Sequence, residues 1–192
     1  MATDYPALTG HHREFIGKQH IFFTASSVPG SRVNLSPRST DWFRVLADTA
    51  ACYLDRTGSG NETAAHALAG GHMTIMFCAV EGPPLILRLY GHGRAIPHGS
   101  DEYRAVLAEQ FGGIEEPIGA RQIMRLDFDL VKTSCGYGVP FFEYTGERDT
   151  LDRWAEAKGD DGIAEYWANK NVVSMDGLPT GYDPEAAREP AE

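Results

Sequence analysis

Alternating apolar and polar positions predict a chain made mostly of short β-strands. The clearest case lies near residue 126, where Met124, Leu126 and Phe128 alternate with Arg125 and Asp127. This period of two is typical of a strand with one face in water. The same analysis predicts strands at 20–27, 32–36, 42–46, 49–55, 72–80, 85–96, 122–132 and 141–144.

Helices are predicted between some of these strands and after the last one. Ser100 is followed by two acids and an apolar periodic stretch, which indicates an N-cap and a helix over 100–113. Ser59 and Glu62 have the spacing of a capping box, which places a short helix over 62–69. The remaining predicted helices cover 8–19, 148–158 and 162–170, with Gly159 separating the last two.

The short turns between strands determine the predicted fold. Consecutive strands joined this tightly must be antiparallel, and a closed barrel leaves few free edges. We therefore predict a mainly β (α+β) protein: an antiparallel barrel with peripheral helices. Residues 1–176 are expected to form a single domain. Residues 177–192, rich in Pro, Gly and Glu, are expected to form a flexible C-terminal tail.

Composition excludes several classes of function. A net charge of −10 over 192 residues argues against nucleic acid as a partner. No apolar run reaches membrane-spanning length and no signal peptide is evident, so cytoplasmic localisation is expected. The 3 cysteines are widely spaced, as expected of reduced thiols, and the 7 histidines show no metal-binding spacing.

The first candidate site comprises the predicted strand 32–36 and Arg38, which comes just after it. Asn34 offers a donor and an acceptor to a heterocycle, and Arg38 can donate two hydrogen bonds to a phosphate. A solvent-facing polar strand explains the same pattern equally well. Along this strand, one face carries the polar side chains of Arg32, Asn34 and Ser36. The apolar side chains of Val33 and Leu35 lie on the other face and are expected to pack there.

The second candidate site is the polar segment 57–63 before the predicted helix 62–69. A helix N-terminus attracts phosphate, and the hydroxyls of Thr57, Ser59 and Thr63 can add hydrogen bonds. An ordinary capped turn is the alternative. The missing GK[ST] sequence excludes a Walker-type site, and antiparallel strands disfavour a dinucleotide-binding βαβ unit.

A third loop, 135–140, contains two glycines around Tyr137, whose ring could stack or whose hydroxyl could hydrogen-bond. Cys135 has no neighbouring base in the sequence, so a nucleophilic cysteine is not expected. The chain also shows no Ser/His/Asp order and no GxSxG motif. Missing acid–base groups point to a cofactor that performs its own chemistry.

Taken together, these motifs resemble the pyridoxamine 5′-phosphate oxidase-like, FMN-binding split-barrel superfamily. The resemblance extends over nearly the whole chain and is specific in order and spacing. It rests on VNLSPR (33–38), YLDRTGSGNETAAH (53–66), MFCAVEGPPLILRLYGHG (76–93), TSCGYGVP (133–140) and SMDGLPTG (174–181).

The resemblance implies a split β-barrel homodimer with two flavin sites at the interface. Asn34 would lie beside the ring system. Arg88 and the 135–139 loop would line the substrate side or come from the facing subunit. The positions that match the phosphate-holding loops of the family are Ser36, Arg38, Ser59, Asn61 and Thr63.

The expected function is therefore that of an FMN-dependent oxidoreductase acting on a small molecule. Asn61-Glu62-Thr63 stands where the true oxidase is basic, and the C-terminal substrate-binding Arg and His of that enzyme are missing. Oxidation of pyridoxamine phosphate is therefore not the expected reaction. The alternatives are a non-catalytic flavin- or haem-binding module and a deazaflavin-dependent reductase.

Overall fold

A computed structural model describes residues 2–112 and 114–184. Its strands are β1 (Thr3–Tyr5), β2 (Ile21–Ser27), β3 (Asn34–Ser39), β4 (Phe43–Ala47), β5 (Ala50–Arg56), β6 (His72–Cys78), β7 (Ile86–Pro97) and β8 (Ala120–Ser134). Its α-helices are α1 (Gly10–Ile16), α2 (Glu62–Leu68), α3 (Asp101–Phe111) and α4 (Thr150–Lys170), and Thr40–Trp42 forms one 3₁₀ turn.

The strands form one antiparallel sheet in the order β3-β2-β6-β7-β8-β5-β4, and β1 pairs with β8. The sheet curls into a half-barrel, with β3 at one end of this order and β4 at the other. Together with the helices this is an α+β split barrel, so the predicted antiparallel barrel is confirmed.

Two apolar clusters stabilise the sheet. The larger one contains buried aromatic and aliphatic side chains of β2 and of β4 to β8, among them Phe22, Ile75, Phe77 and Leu87. The smaller cluster joins β5 and β8 to α3, which contributes Tyr103 and Phe111; the Ser100 hydroxyl accepts a hydrogen bond from the Tyr103 amide at 3.1 Å. The predicted N-cap of this helix is therefore confirmed.

The predicted break at Gly159 is also confirmed. The helix α4 extends over Thr150–Lys170, but Gly159 has non-helical backbone angles, with φ 63° and ψ 176°. A positive φ costs glycine little, because it has no Cβ. Trp167 and Ile163, beyond the kink, are buried with Ala155 in a third small cluster.

Three predictions about local structure are wrong. Residues 141–144 are not a strand, since the structure gives them an irregular backbone. The capping box is absent: Asn61 precedes α2, and the Glu62 carboxylate accepts the Met175 amide instead. Val33 and Leu35 do not pack against the rest of the protein, since their side chains are 71% and 64% exposed.

The boundary between domain and tail stays a prediction. Residues 177–184 belong to the described part of the chain, and Thr180 is buried there with its hydroxyl donating to the Asn171 carbonyl at 2.6 Å. Residues 185–192 lie outside the described residues. Among the described helices, none has the length and apolar character that crossing a membrane requires.

Candidate functional site

A cavity of about 1220 Å³ opens where β3 and β5 face the segment 57–63. The other wall of the cavity consists of residues from 142–152, which lead into α4 and begin it. The curl of the sheet brings these elements together, although β3 and β5 are not neighbours in the strand order. The two loops predicted from the sequence therefore line one cavity.

Seven of the ten residues predicted to bind a cofactor line this cavity: Asn34, Ser36, Arg38, Thr57, Ser59, Asn61 and Thr63. The other three do not. Arg32 pairs with Asp176, Arg88 donates to the Ser134 hydroxyl at 3.2 Å, and Tyr137 is 81% exposed. Whether Arg88 and Tyr137 meet a facing subunit stays a prediction.

A buried ion cluster lies in the cavity wall around Asp55. Arg38 donates to one carboxylate oxygen at 2.5 Å, and Arg121 donates to the other at 2.7 Å. Gln122 adds a third hydrogen bond at 2.8 Å. The Arg38 guanidinium also lies over the Tyr53 ring, 4.6 Å from its centroid, which is a favourable cation–π distance.

The charges of this cluster do not cancel. Burial alone raises the pKa of Asp55, but the guanidinium groups of Arg38 and Arg121 outweigh it and lower that pKa below its ordinary value. Burial alone lowers the pKa of Arg38, and Asp55 and Tyr53 outweigh it, so that pKa is raised. Asp55 therefore remains ionised between two arginines, and the cluster carries a net charge of +1.

The polar groups of β3 and of the segment 57–63 form a second network. Asn34 donates to the Thr63 hydroxyl at 3.0 Å, and Gln122 donates to the Asn61 side-chain oxygen at 2.8 Å. Asn61 is 2% exposed, and its Nδ2 has no hydrogen-bond partner among the described residues. A buried amide donor without a partner is costly, which marks this position as a place for an acceptor.

Thr57 lines the cavity, and its hydroxyl already has two partners inside the protein. Its hydroxyl donates to the Gly119 carbonyl and accepts from the Trp167 indole, both at 2.8 Å. These two contacts use the hydroxyl to fix the loop, and Thr57 therefore contributes to the shape of the cavity.

The opposite wall is aromatic and acidic. Tyr144 stacks on His20 with ring centroids 3.8 Å apart, and its hydroxyl donates to Glu147 at 2.9 Å. Phe142 and Glu143 line the same wall. Within residues 2–112 and 114–184, no three His, Cys, Asp or Glu side chains converge to hold a metal ion.

The partners of Arg38 in the ion cluster were missed in the sequence analysis: Asp55, Arg121 and Gln122. Asp55 could have been identified from the sequence, because an acid at the end of an apolar strand is often buried and then needs charged or polar partners. Arg121 and Gln122 had none, since they lie at the start of β8, and only the pairing of β8 with β5 brings them to Asp55.

The chain matches the family model described as pyridoxamine 5′-phosphate oxidase over residues 8–135. It is 32% identical over 191 residues to the pyridoxamine 5′-phosphate oxidase family protein ustO of Aspergillus flavus, covering 91% of this chain and 76% of that protein. The chain therefore belongs to the pyridoxamine 5′-phosphate oxidase family.

Solved structures share the fold at low sequence identity. A proposed pyridoxamine 5′-phosphate oxidase from Lactobacillus delbrueckii aligns with a TM-score of 0.50 at 16% identity, covering 66% of this chain and 94% of that one. HupZ from Group A Streptococcus aligns with a TM-score of 0.50 at 18% identity, covering 64% and 91%. Both similarities support the split-barrel fold.

Proposed function

We propose that the protein binds FMN in this cavity and is an FMN-dependent oxidoreductase acting on a small molecule. The observation that carries the proposal is the buried Arg38–Asp55–Arg121 cluster, whose net charge of +1 lies in the cavity wall. Arg38, the partly exposed member of the cluster, lines the cavity, so its positive charge favours an anionic ligand at this wall.

The residues of the cavity fit the phosphate of FMN. Arg38 supplies a guanidinium that is only partly used by Asp55, and the unpartnered Asn61 Nδ2 supplies a second donor. Ser36, Ser59 and Thr63 line the same cavity and can add hydroxyl hydrogen bonds. Family membership supports a flavin as the bearer of this phosphate.

The remainder of the cavity suits a flat ring system. Asn34, which accepts a hydrogen bond from Ser36, has both a donor and an acceptor, and Trp42 and Tyr144 line the same cavity. A bound FMN would supply hydride transfer. The protein's residues then bind the phosphate, orient the ring and limit the access of water, and no side chain is needed as a nucleophile.

The same proposal includes a homodimer with the cofactor at its interface. Large apolar side chains are exposed just before the edge strand β3, on β3 itself and in the segment after β8: Val33, Leu35, Tyr137, Phe141 and Phe142. Exposed apolar side chains along a sheet edge are typical of surfaces that pair with another chain. The position of β3 at both the cavity and this exposed edge supports an interface next to the cofactor.

The absorption spectrum of the purified protein, followed by titration with FMN, tests the proposal. We expect a flavin spectrum, or saturable uptake of added FMN, and consumption of a reduced nicotinamide in the presence of an acceptor. Mass spectrometry of the released cofactor distinguishes FMN from a deazaflavin, and a Soret band would indicate haem. A protein that neither carries nor takes up a flavin would overturn the proposal.

A further inference from the structure

The segment 57–61 is held by side chains that lie outside it. Arg121 donates to the Gly60 carbonyl at 3.0 Å, and Asn171 donates to the Gly58 carbonyl at 3.2 Å. The Trp167 indole holds Thr57, as described above. Three contacts within five residues leave this segment little freedom to move.

Asn171 connects two of these contacts. Its side-chain oxygen accepts a hydrogen bond from Arg121 at 2.8 Å, while its Nδ2 reaches the Gly58 carbonyl. Asn171 is fully buried, with 0% of its surface exposed. The oxygen of its side-chain amide thus fixes Arg121 of the ion cluster, and the nitrogen of the same amide fixes the Gly58 carbonyl of the segment 57–61.

The position of Asn171 in the fold is informative. It follows directly after α4, and its backbone amide donates to the Trp167 carbonyl at 2.8 Å. The Thr180 hydroxyl donates to the Asn171 backbone carbonyl, so the backbone is fixed on both sides. This part of the chain lies beyond residues 8–135, which match the family model.

We propose that Asn171 is a positioning residue for the cofactor phosphate, an inference that rests on the proposed FMN site. By holding Arg121 and the Gly58 carbonyl together, it fixes the distance between the charged cluster and the segment 57–61. Both of these elements face the phosphate in the proposed site. The end of α4 is therefore part of the cofactor-binding apparatus, although it contributes no group to the cavity wall.

The test compares FMN with riboflavin, because riboflavin has the same ring system and no phosphate. We expect Asn171→Ala to raise the dissociation constant for FMN about tenfold, as loss of such hydrogen bonds predicts, and to leave that for riboflavin within twofold. Asn171→Leu, which keeps the volume of the side chain without its polar atoms, should behave in the same way. A merely structural role would weaken both ligands equally.

Ser174→Ala is the matched control. The Ser174 hydroxyl accepts a hydrogen bond from the Leu178 amide at 3.1 Å in the same region. It has no hydrogen bond to the segment 57–61. This variant should bind FMN like the wild type. If Asn171→Leu folds and retains the wild-type preference for FMN over riboflavin, the inference is wrong while the proposed function stands. A wild-type protein that binds no FMN overturns both.

Discussion

Asp55 partly neutralises the two arginines of the cavity wall, Arg38 and Arg121. It is almost fully buried, and its two carboxylate oxygens accept from Arg38, Arg121 and Gln122. Removing one partner of a buried ion cluster costs more than the cluster itself contributes, because the remaining charges stay desolvated. The side chain of this single residue therefore keeps two guanidinium groups next to the cavity.

Replacing Asp55 by Asn should destabilise the protein at pH 7 by about 3–5 kcal/mol, measured by urea unfolding. Because the folded-state pKa of Asp55 is lowered, its contribution is complete above the unfolded pKa of about 4. It is lost as the pH falls through the folded pKa. The difference in unfolding free energy between wild type and variant should thus narrow below about pH 4. A difference that is the same at pH 7 and pH 3 would show that Asp55 is not ionised in this cluster.

The sequence indicates which types of side chain can bind a phosphate, but it does not show which other residues those side chains contact in the fold. Sequence reasoning selected Asn34, Ser36 and Arg38 because a polar strand face followed by arginine can bind a phosphate, and all three line the cavity. It also selected Arg32 from the same alternation. Arg32 precedes β3 and pairs with Asp176, a contact 144 residues away that no local pattern contains.

At the scale of elements, the pairing of β7 with β8 depends on a glycine. The register shifts between Tyr90 and Gly91, and a Cβ on Gly91 would lie 2.0 Å from the Asp127 carbonyl oxygen. Real Cβ atoms never approach so closely, and the obstacle is backbone rather than a flexible side chain. Only glycine therefore fits this position without moving β8.

Gly91→Ala should lower the free energy of unfolding by about 3 kcal/mol, the upper end of typical overpacking costs. Gly138→Ala is the control, because nothing lies within 4 Å of its added Cβ; its effect should stay within about 0.5 kcal/mol. Urea unfolding of both variants checks this pair. Equal effects of the two substitutions would mean that β7 and β8 are not this close at Gly91.

The elements themselves were largely predictable, and their interactions less so. The period-two pattern around Leu126 correctly predicted β8, because its inner face is buried and its outer face is wet. The aromatic-rich segment 141–144 suggested a strand on composition alone. Instead, the Phe142 amide pairs with the Val80 carbonyl and Tyr144 stacks on His20, so this segment is used as a cavity wall.

At the scale of the whole molecule, a substitution on the exposed edge strand β3 tests whether the protein forms the proposed homodimer. We expect light scattering to give twice the mass of the chain, and Leu35→Glu to yield a monomer, since a charge on an apolar interface opposes association. Leu68→Glu serves as control, because Leu68 is similarly exposed but belongs to α2 and not to β3. A wild-type monomer, or a Leu35→Glu dimer as stable as the wild type, contradicts this arrangement.

The central claim is that the cavity binds the phosphate of a flavin through Arg38 and its neighbours. Its most direct test is the affinity of the wild type and of Arg38→Ala for FMN and for riboflavin. The wild type should prefer FMN by tenfold or more. Arg38→Ala should weaken FMN by about 1.5–3 kcal/mol, with little effect on riboflavin. Equal affinities of the wild type for the two ligands would contradict the claim.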